Sequence, residues 1–383
     1  MNDILELLQR LLRCQSVAPN DDGAIDIVAS KLSELGFDCK ILTFEGDGSY
    51  PVRNLYARYG TVGPNFCFAG HTDVVPTGPV DKWQFPPFDG SIKDGLVYGR
   101  GTVDMKGAIA AMIFAVANFI RSQKFNGSIS FLITGDEEAD ATNGTPKVLK
   151  YLEHKGEKLD ICIIGEPTNP DTLGRTVKIG SRGSFNVDIT VRGKQGHVAY
   201  NKYADNALTR LTNVLHDLNE ITLDRGNEDF EPSNLELTSI DVNNKAPNVI
   251  PGLASAHINV RFNTCYDGPK LFEVIKSVCE KHACDQYHIA SRVSGEAFVV
   301  KDKGILDICA IAIKNALKSD CTFNTRGGTS DARFIKNYCP VVEYGLSNVT
   351  AHQVDEHTTI QELVNLMNVY YAMLQTYFEV GNL

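Results

Sequence analysis

The 383-residue sequence predicts an α/β protein: a discontinuous domain with a mixed, largely parallel sheet flanked by helices, interrupted by a smaller ferredoxin-like α+β domain. Three observations carry this. Short apolar runs alternate with helical periodicity up to about residue 181; the order then changes to β-α-β-β-α-β; and from about residue 296 the first pattern returns. The length also exceeds what one hydrophobic core usually supports. Two domains are therefore expected, one from residues 1–181 with 296–383 and one from residues 182–295.

The chain begins with "MNDILELLQRLLRCQS", where Ile4, Leu5, Leu8, Leu11 and Leu12 recur at helical spacing among charges, the pattern of an amphipathic helix on a domain. "NFCFAG" (65–70), "GSISFLITG" (127–135) and "LDICIIGEP" (159–167) are Phe- and Ile-rich runs bounded by turn residues and read as buried strands. Between the first two, "GAIAAMIFAVANFI" (107–120) reads as a buried helix too short to span a bilayer. In the insert, "SFNVDITVRG", "NLELTSIDV" and "ASAHINVRFN" alternate as strands do. "NALTRLTNVLHDLNEI" places Leu208, Leu211, Leu215 and Leu218 on one helical face, and a helix near 268–283 and a strand near 287–294 complete the unit. After residue 296 come a helix ("ILDICAIAIKNAL"), a strand ("PVVEYG") and a long closing helix ("IQELVNLMNVYYAMLQTYFE").

Composition narrows the function. Lys and Arg number 37 against 47 Asp and Glu, a formal charge of -10, which disfavours nucleic acid and anionic membranes as partners and leaves small molecules or peptides. The ten cysteines are scattered singly, as suits a reducing cytosol, and no export signal is visible, so a cytoplasmic location is expected. The tightest grouping, Cys279, His282, Cys284 and His288, lacks the paired spacing that structural zinc prefers.

The chemistry gathers where the strands end, the edge at which open α/β sheets carry their sites. "FAGHTDVVP" presents His71 and Asp73, "GRGTVDMKG" Asp104, "FLITGDEEAD" Glu137 and Glu138, and "IIGEPT" Glu166. A lone His after a strand is most often a loop residue, and an acid there is commonly a helix cap. Four such groups at one sheet edge instead match what a zinc-type site requires, and a cation would make the crowding of Asp136, Glu137 and Glu138 tolerable. "GRGTVD" lacks the last glycine of a dinucleotide fingerprint, and there is no GxSxG elbow.

Together "GHTDVVP", "GRGTVDMKG", "DEEAD", "GEPT" and "GGTSDARF" resemble, in order and separation, the M20 metallopeptidase family of dinuclear zinc amidohydrolases. The resemblance spans nearly the whole chain and implies a catalytic domain interrupted by a dimerisation or lid domain. It implies two zinc ions per subunit, with cobalt or manganese able to substitute. Asp104 would bridge the ions, His71 and Glu166 would hold one, and Glu138 and His352 the other. Asp73 would hydrogen-bond the His71 imidazole, and Glu137 would be the general base of amide hydrolysis. A cis peptide between Asp104 and Met105 is also implied. His197 of "GKQGHVAY", helped by Asn248, would stabilise the oxyanion from the partner subunit of a homodimer.

Within the family, "GKQGHVAY", "APNVIPG" and "EYGLSNVTAHQVDE" resemble the branch whose amide substrate carries several carboxylates. Such a substrate calls for arginines, amides and hydroxyls. The positions implied are Lys178, Arg182, Tyr200, Asn248, Arg261, Gly327, Gly328, Thr329, Ser330, Arg333 and Asn348, with Arg261, Thr329 and Arg333 foremost. Two departures stand out: Ser181 where relatives commonly carry the first of two arginines, and Ala332 where Gly is usual. The alternatives are another M20 amidohydrolase, such as an acetylornithine deacetylase or an aminoacylase, and, from a different class, a non-catalytic metal-dependent binding or dimerisation protein.

Overall fold

The computed structural model describes residues 2–380, which divide into two compact units. The first comprises the chain up to Ile179, Val300–Asn324 and the chain from Ser330 onward; the second comprises Gly180–Val299 and Thr325–Thr329. The expected boundaries thus shift by a few residues, and a short return at 325–329 is added. Hydrogen bonding explains both. Gly180–Ser181 pairs antiparallel with Phe298–Val299 and closes the insert. Arg326 pairs with Glu231 at 3.1 Å and Thr329 accepts from Arg261 at 3.4 Å, which holds the return segment to the second unit.

The first unit is built on an eight-stranded mixed sheet. Its strands are β1 (Asp38–Gly46), β2 (Ser49–Tyr59), β3 (Asn65–His71), β4 (Ser128–Thr134), β5 (Ile161–Ile164), β6 (Thr176–Lys178), β11 (Thr322–Asn324) and β12 (Val341–Glu343), with β7 to β10 in the second unit. The order across the sheet is β1-β2-β4-β3-β5-β12-β6-β11. The centre, β4-β3-β5-β12, is parallel, while β2 and β6 run antiparallel to their central neighbours. Every residue of β3 and β4 is buried, which explains their unbroken apolar runs: a strand covered on both faces has no solvent side to alternate toward.

Helix α3 (Gly107–Ser122) is apolar nearly all round because it is buried nearly all round, packed between α1 (Asn2–Arg13) and α9 (Ile360–Val380). With the preceding Thr102–Lys106 turn it reaches 21 residues, long and apolar enough to cross a membrane, contrary to the expectation from "GAIAAMIFAVANFI" alone. Its burial in the core accounts for that composition.

The second unit holds β7 (Gly183–Arg192), α5 (Ala207–Asn219), β8 (Asn234–Asp241), β9 (Leu253–Phe262), α6 (Gly268–Ala283) and β10 (Tyr287–Gly295). Its sheet has the order β8-β9-β7-β10 with every neighbour antiparallel, the ferredoxin-like arrangement. Phe185, Val187 and Ile189 of β7 and Ile258 of β9 meet Leu211 and Leu215 of α5 and Leu271 and Ile275 of α6 in one core. Asn206 and Asp267 cap the two helices by accepting their first free amides. His282 is engaged with Asp217 at 2.7 Å, and neither metal-capable cluster among the described residues draws on Cys279, His282, Cys284 or His288.

Candidate metal centre

The parallel register places the donors. His71 is the last residue of β3 and lies beside Thr134 of β4, while Ala69 lies beside Ile164 of β5. β3 and β4 therefore end level and β5 two residues earlier, so His71, the Glu137–Glu138 turn and Glu166 emerge at one edge. Asp104 comes from the turn before α3. Gly101 makes that turn at φ +87, a conformation suited to glycine, and a Cβ there would lie 2.7 Å from Val74. The Asp104–Met105 peptide is cis. His352 comes from the loop between β12 and His357 and has φ +62.

Two groups of donors result, sharing Asp104. His71 Nε2 lies 3.0 Å from Asp104 Oδ1 and 3.6 Å from Glu166 Oε1. His352 Nε2 lies 2.8 Å from Glu138 Oε1 and 3.2 Å from Asp104 Oδ2. The two oxygens of Asp104 thus face different groups. The first group is buried, whereas the His352 side chain is 47% exposed, so the second opens to solvent.

Hydrogen bonding prepares the histidines. His71 Nδ1 lies 2.9 Å from the main-chain carbonyl of Asp73, which can only accept, so Nδ1 carries the proton and Nε2 is left to ligate. This corrects the expected role of Asp73, whose carboxylate is 3.7 Å from the ring. That carboxylate instead accepts the amides of Glu137 at 3.1 Å and Glu138 at 2.9 Å. Asp73 lies two residues beyond the strand's end, and its side chain is turned to the 137–138 loop.

The crowded acids of "GDEEAD" have separate partners. Asp136 accepts from Tyr50 Oη at 2.7 Å and from the amides of Thr142 and Asn143, and so shapes the loop. Glu138 faces His352. Among the described residues the Glu137 carboxylate has no such partner, and burial raises its pKa well above the usual carboxylate range, with His71 opposing and Asp331 adding to the rise. Burial likewise raises Glu166, with Asp104 and Glu137 adding to it. Burial also opposes ionisation of Asp104, but hydrogen bonds from His352 and His71 outweigh it and hold that carboxyl low.

This donor set fits a pair of divalent cations. It offers imidazole nitrogen and carboxylate oxygen only, in two groups whose ligating atoms lie within 4.8 Å of one another. Glu166 Oε1 is buried and accepts no hydrogen bond, a costly state that a cation would relieve.

The positions implied for substrate divide between the two units. In the first, Lys178 is buried and paired with Glu343 at 2.9 Å, while Ser330 donates to the other Glu343 oxygen at 2.7 Å. Lys178 thus shares its charge with Glu343 inside the protein. Arg333 lies over the Phe334 ring and its buried Nε lacks a hydrogen bond, and Asn348 is exposed. In the second unit, Arg261 meets Thr329 beside the exposed Gly327 and Gly328. Arg182 is spent on the Pro232 carbonyl and Asn234. His197 caps a short turn by accepting from Ala199, with the Tyr200 ring tilted against it at 5.4 Å and exposed Asn248 joined to Val198. Sequence reasoning missed Arg100, Glu343 and Glu356, whose roles arise from contacts distant in the chain.

A mixed α/β sheet with two carboxylate–histidine groups gathered at one edge fits a metal-dependent hydrolase. Residues 67–376 match the description Peptidase family M20/M25/M40, and the chain belongs to that family. It is 46% identical over 380 residues to the succinyl-diaminopimelate desuccinylase of Ehrlichia canis, covering 99% of both chains. It is 48% identical over 377 residues to that of Rhodospirillum centenum, covering 98% and 97%. In fold it resembles the M20 family metallo-carboxypeptidase of Sulfolobus solfataricus (TM-score 0.80, 17% identity, 98% and 99% covered). It also resembles a dinuclear metal-binding M20 peptidase of Bacillus subtilis (TM-score 0.71, 15% identity, 99% and 98% covered).

Proposed function

We propose that this protein hydrolyses the amide of N-succinyl-LL-2,6-diaminopimelate to succinate and LL-2,6-diaminopimelate, a step of lysine and peptidoglycan-precursor synthesis in the cytoplasm. The observation that carries the reading is Asp104, with its two oxygens turned to two donor groups, while Asp73 holds the amide of Glu137 next to the donor Glu138. The near-full-length likeness to enzymes of that name supports the substrate.

His71, Asp104 and Glu166 would hold one zinc ion, and Asp104, Glu138 and His352 the second; cobalt or manganese could take their place. When bound, the ions supply Lewis acidity toward the amide carbonyl and the attacking water. Glu137 takes a proton from that water as its oxygen adds to the carbonyl carbon, and gives it to the amine nitrogen as the C–N bond breaks. Asp73 holds the Glu137 and Glu138 amides and so aims both side chains. Arg261 with Thr329, and Arg333, would receive substrate carboxylates. His197 and Asn248 would stabilise the oxyanion across a homodimer formed by the second unit.

Comparing turnover of N-succinyl-LL-diaminopimelate with N-acetylornithine at matched zinc tests the reading. The succinyl substrate should be preferred by orders of magnitude; preference for the acetyl substrate would move the chain to another branch of the family, and turnover of neither would make it a binding protein.

A further inference from the structure

Away from the donor atoms, one buried ion pair touches three of the segments that carry them. Arg100 Nη1 and Glu356 Oε2 are 2.7 Å apart, and both residues are almost wholly buried. The other Glu356 oxygen accepts the main-chain amides of Val103 at 2.8 Å and Asp104 at 3.2 Å. The guanidinium donates onward to the carbonyls of Gln353 at 3.2 Å, His352 at 3.3 Å and Pro76 at 3.2 Å, and lies over the Trp83 ring. The pair therefore grips Asp104 and His352 by their backbones, and by way of Pro76 the loop leading out of His71. It contacts none of their ligating atoms.

The grip falls where support is most needed. His352 is half-exposed on a loop and, like Asp355, has a positive φ that non-glycine residues seldom adopt. A buried ion pair is also expensive to desolvate and is weak support for stability by itself, so an extensively hydrogen-bonded one between two donor loops suggests precision of placement.

Resting on the two-ion reading above, we infer that Arg100 and Glu356 are positioning residues for the second metal group: they set the distance between Asp104 and His352, and thereby the affinity of the Asp104–Glu138–His352 site. The His71–Asp104–Glu166 site depends on them less, because His71 is the end of a fully buried strand and Glu166 stands two residues beyond the end of its neighbour.

The test titrates Zn2+ alone into the metal-free full-length protein by calorimetry, alongside assays at increasing Zn2+. The double variant R100M/E356Q avoids leaving a lone buried charge, and Arg100→Lys keeps the charge while losing the fork that reaches several carbonyls. Supporting tissue around metal ligands is worth about 10- to 100-fold in affinity. The second ion should weaken by that factor in the double variant and by less in Arg100→Lys. The first ion should hold within about three-fold, and activity should return at high Zn2+. Parental affinity for both ions, or equal weakening of both, would overturn the inference. If the double variant does not fold, Arg100→Lys decides alone by the same split. His352→Ala is the control: if it still binds two ions as the parent does, the two-ion reading fails, not the role of the pair.

Discussion

The Asp73 carboxylate and the Glu138 amide are joined at 2.9 Å, with the Glu137 amide held to the same carboxylate at 3.1 Å. Asp73 therefore supports the base and one metal donor through their backbone, while His71 is oriented by the Asp73 carbonyl. Asp73→Asn should lower kcat about 10- to 100-fold, the usual cost of disturbing a ligand's support, and leave His71 tautomer and first-ion affinity nearly unchanged. A large loss of first-ion affinity in zinc titrations would restore the imidazole role for the carboxylate.

Glu137→Gln should keep both ions and the fold but cut turnover by about 10²- to 10⁴-fold, the range general-base catalysis supplies. Zinc content by elemental analysis beside kcat separates this from loss of metal. A variant retaining most activity would remove Glu137 from its role.

Chelation should abolish activity, and readdition of zinc should restore it. Asp104→Asn should lose much of the affinity for both ions because its oxygens face both groups, whereas His352→Ala should lose chiefly one. In the metal-free protein the His352 imidazole, bonded to Asp104 and then Glu138, has its pKa raised from 6.5 to about 10. The sign follows. That stabilisation is fully present below about pH 6.5 and is lost as pH rises toward 10. Zinc must displace the same proton, so binding should release protons below pH 10 and tighten as pH rises. Calorimetry in buffers of different ionisation enthalpy reads this directly.

The buried Lys178–Glu343 pair should make single substitutions costly. Lys178→Met leaves Glu343 unpaired and should destabilise the fold by about 3–5 kcal/mol, whereas K178M/E343Q should recover much of it. Denaturant unfolding tests both. If Lys178 also grips substrate, the double variant will be stable yet raise KM; an unchanged KM would confine Lys178 to architecture.

The proposed homodimer can be tested by mixing two inactive proteins. If His197 serves the partner's site, random exchange of Glu137→Gln and His197→Ala subunits makes half the dimers mixed, each with one intact site. Activity should then rise to about one quarter of the parent by the statistics of a two-fold assembly. No recovery after exchange would place His197 in its own subunit's site or outside catalysis.

Sequence periodicity and strand-end motifs together made much of this protein legible. His71, the Glu137–Glu138 pair and Glu166 directly follow apolar runs that could only be buried strands, and Asp104 sits in a glycine turn before a buried helix. Arg100 and Glu356 carried no such sign, because they are 256 residues apart and neither stands in a pattern until the other is beside it. The pairing of Lys178 with Glu343 escaped for the same reason.

By itself the sequence determined the order of elements and the ferredoxin-like insert, since these depend on local spacing of apolar and polar side chains, while the candidate donors came from strand-end motifs and the family resemblance. Only the tertiary structure decided which oxygen of Asp104 faces which histidine, what the Asp73 carboxylate holds, and that Lys178 is paired with Glu343 within the protein. Those outcomes turn on side-chain direction and on distances of a few ångströms between segments far apart in the chain, and the folded packing of the sheet and its loops alone sets them.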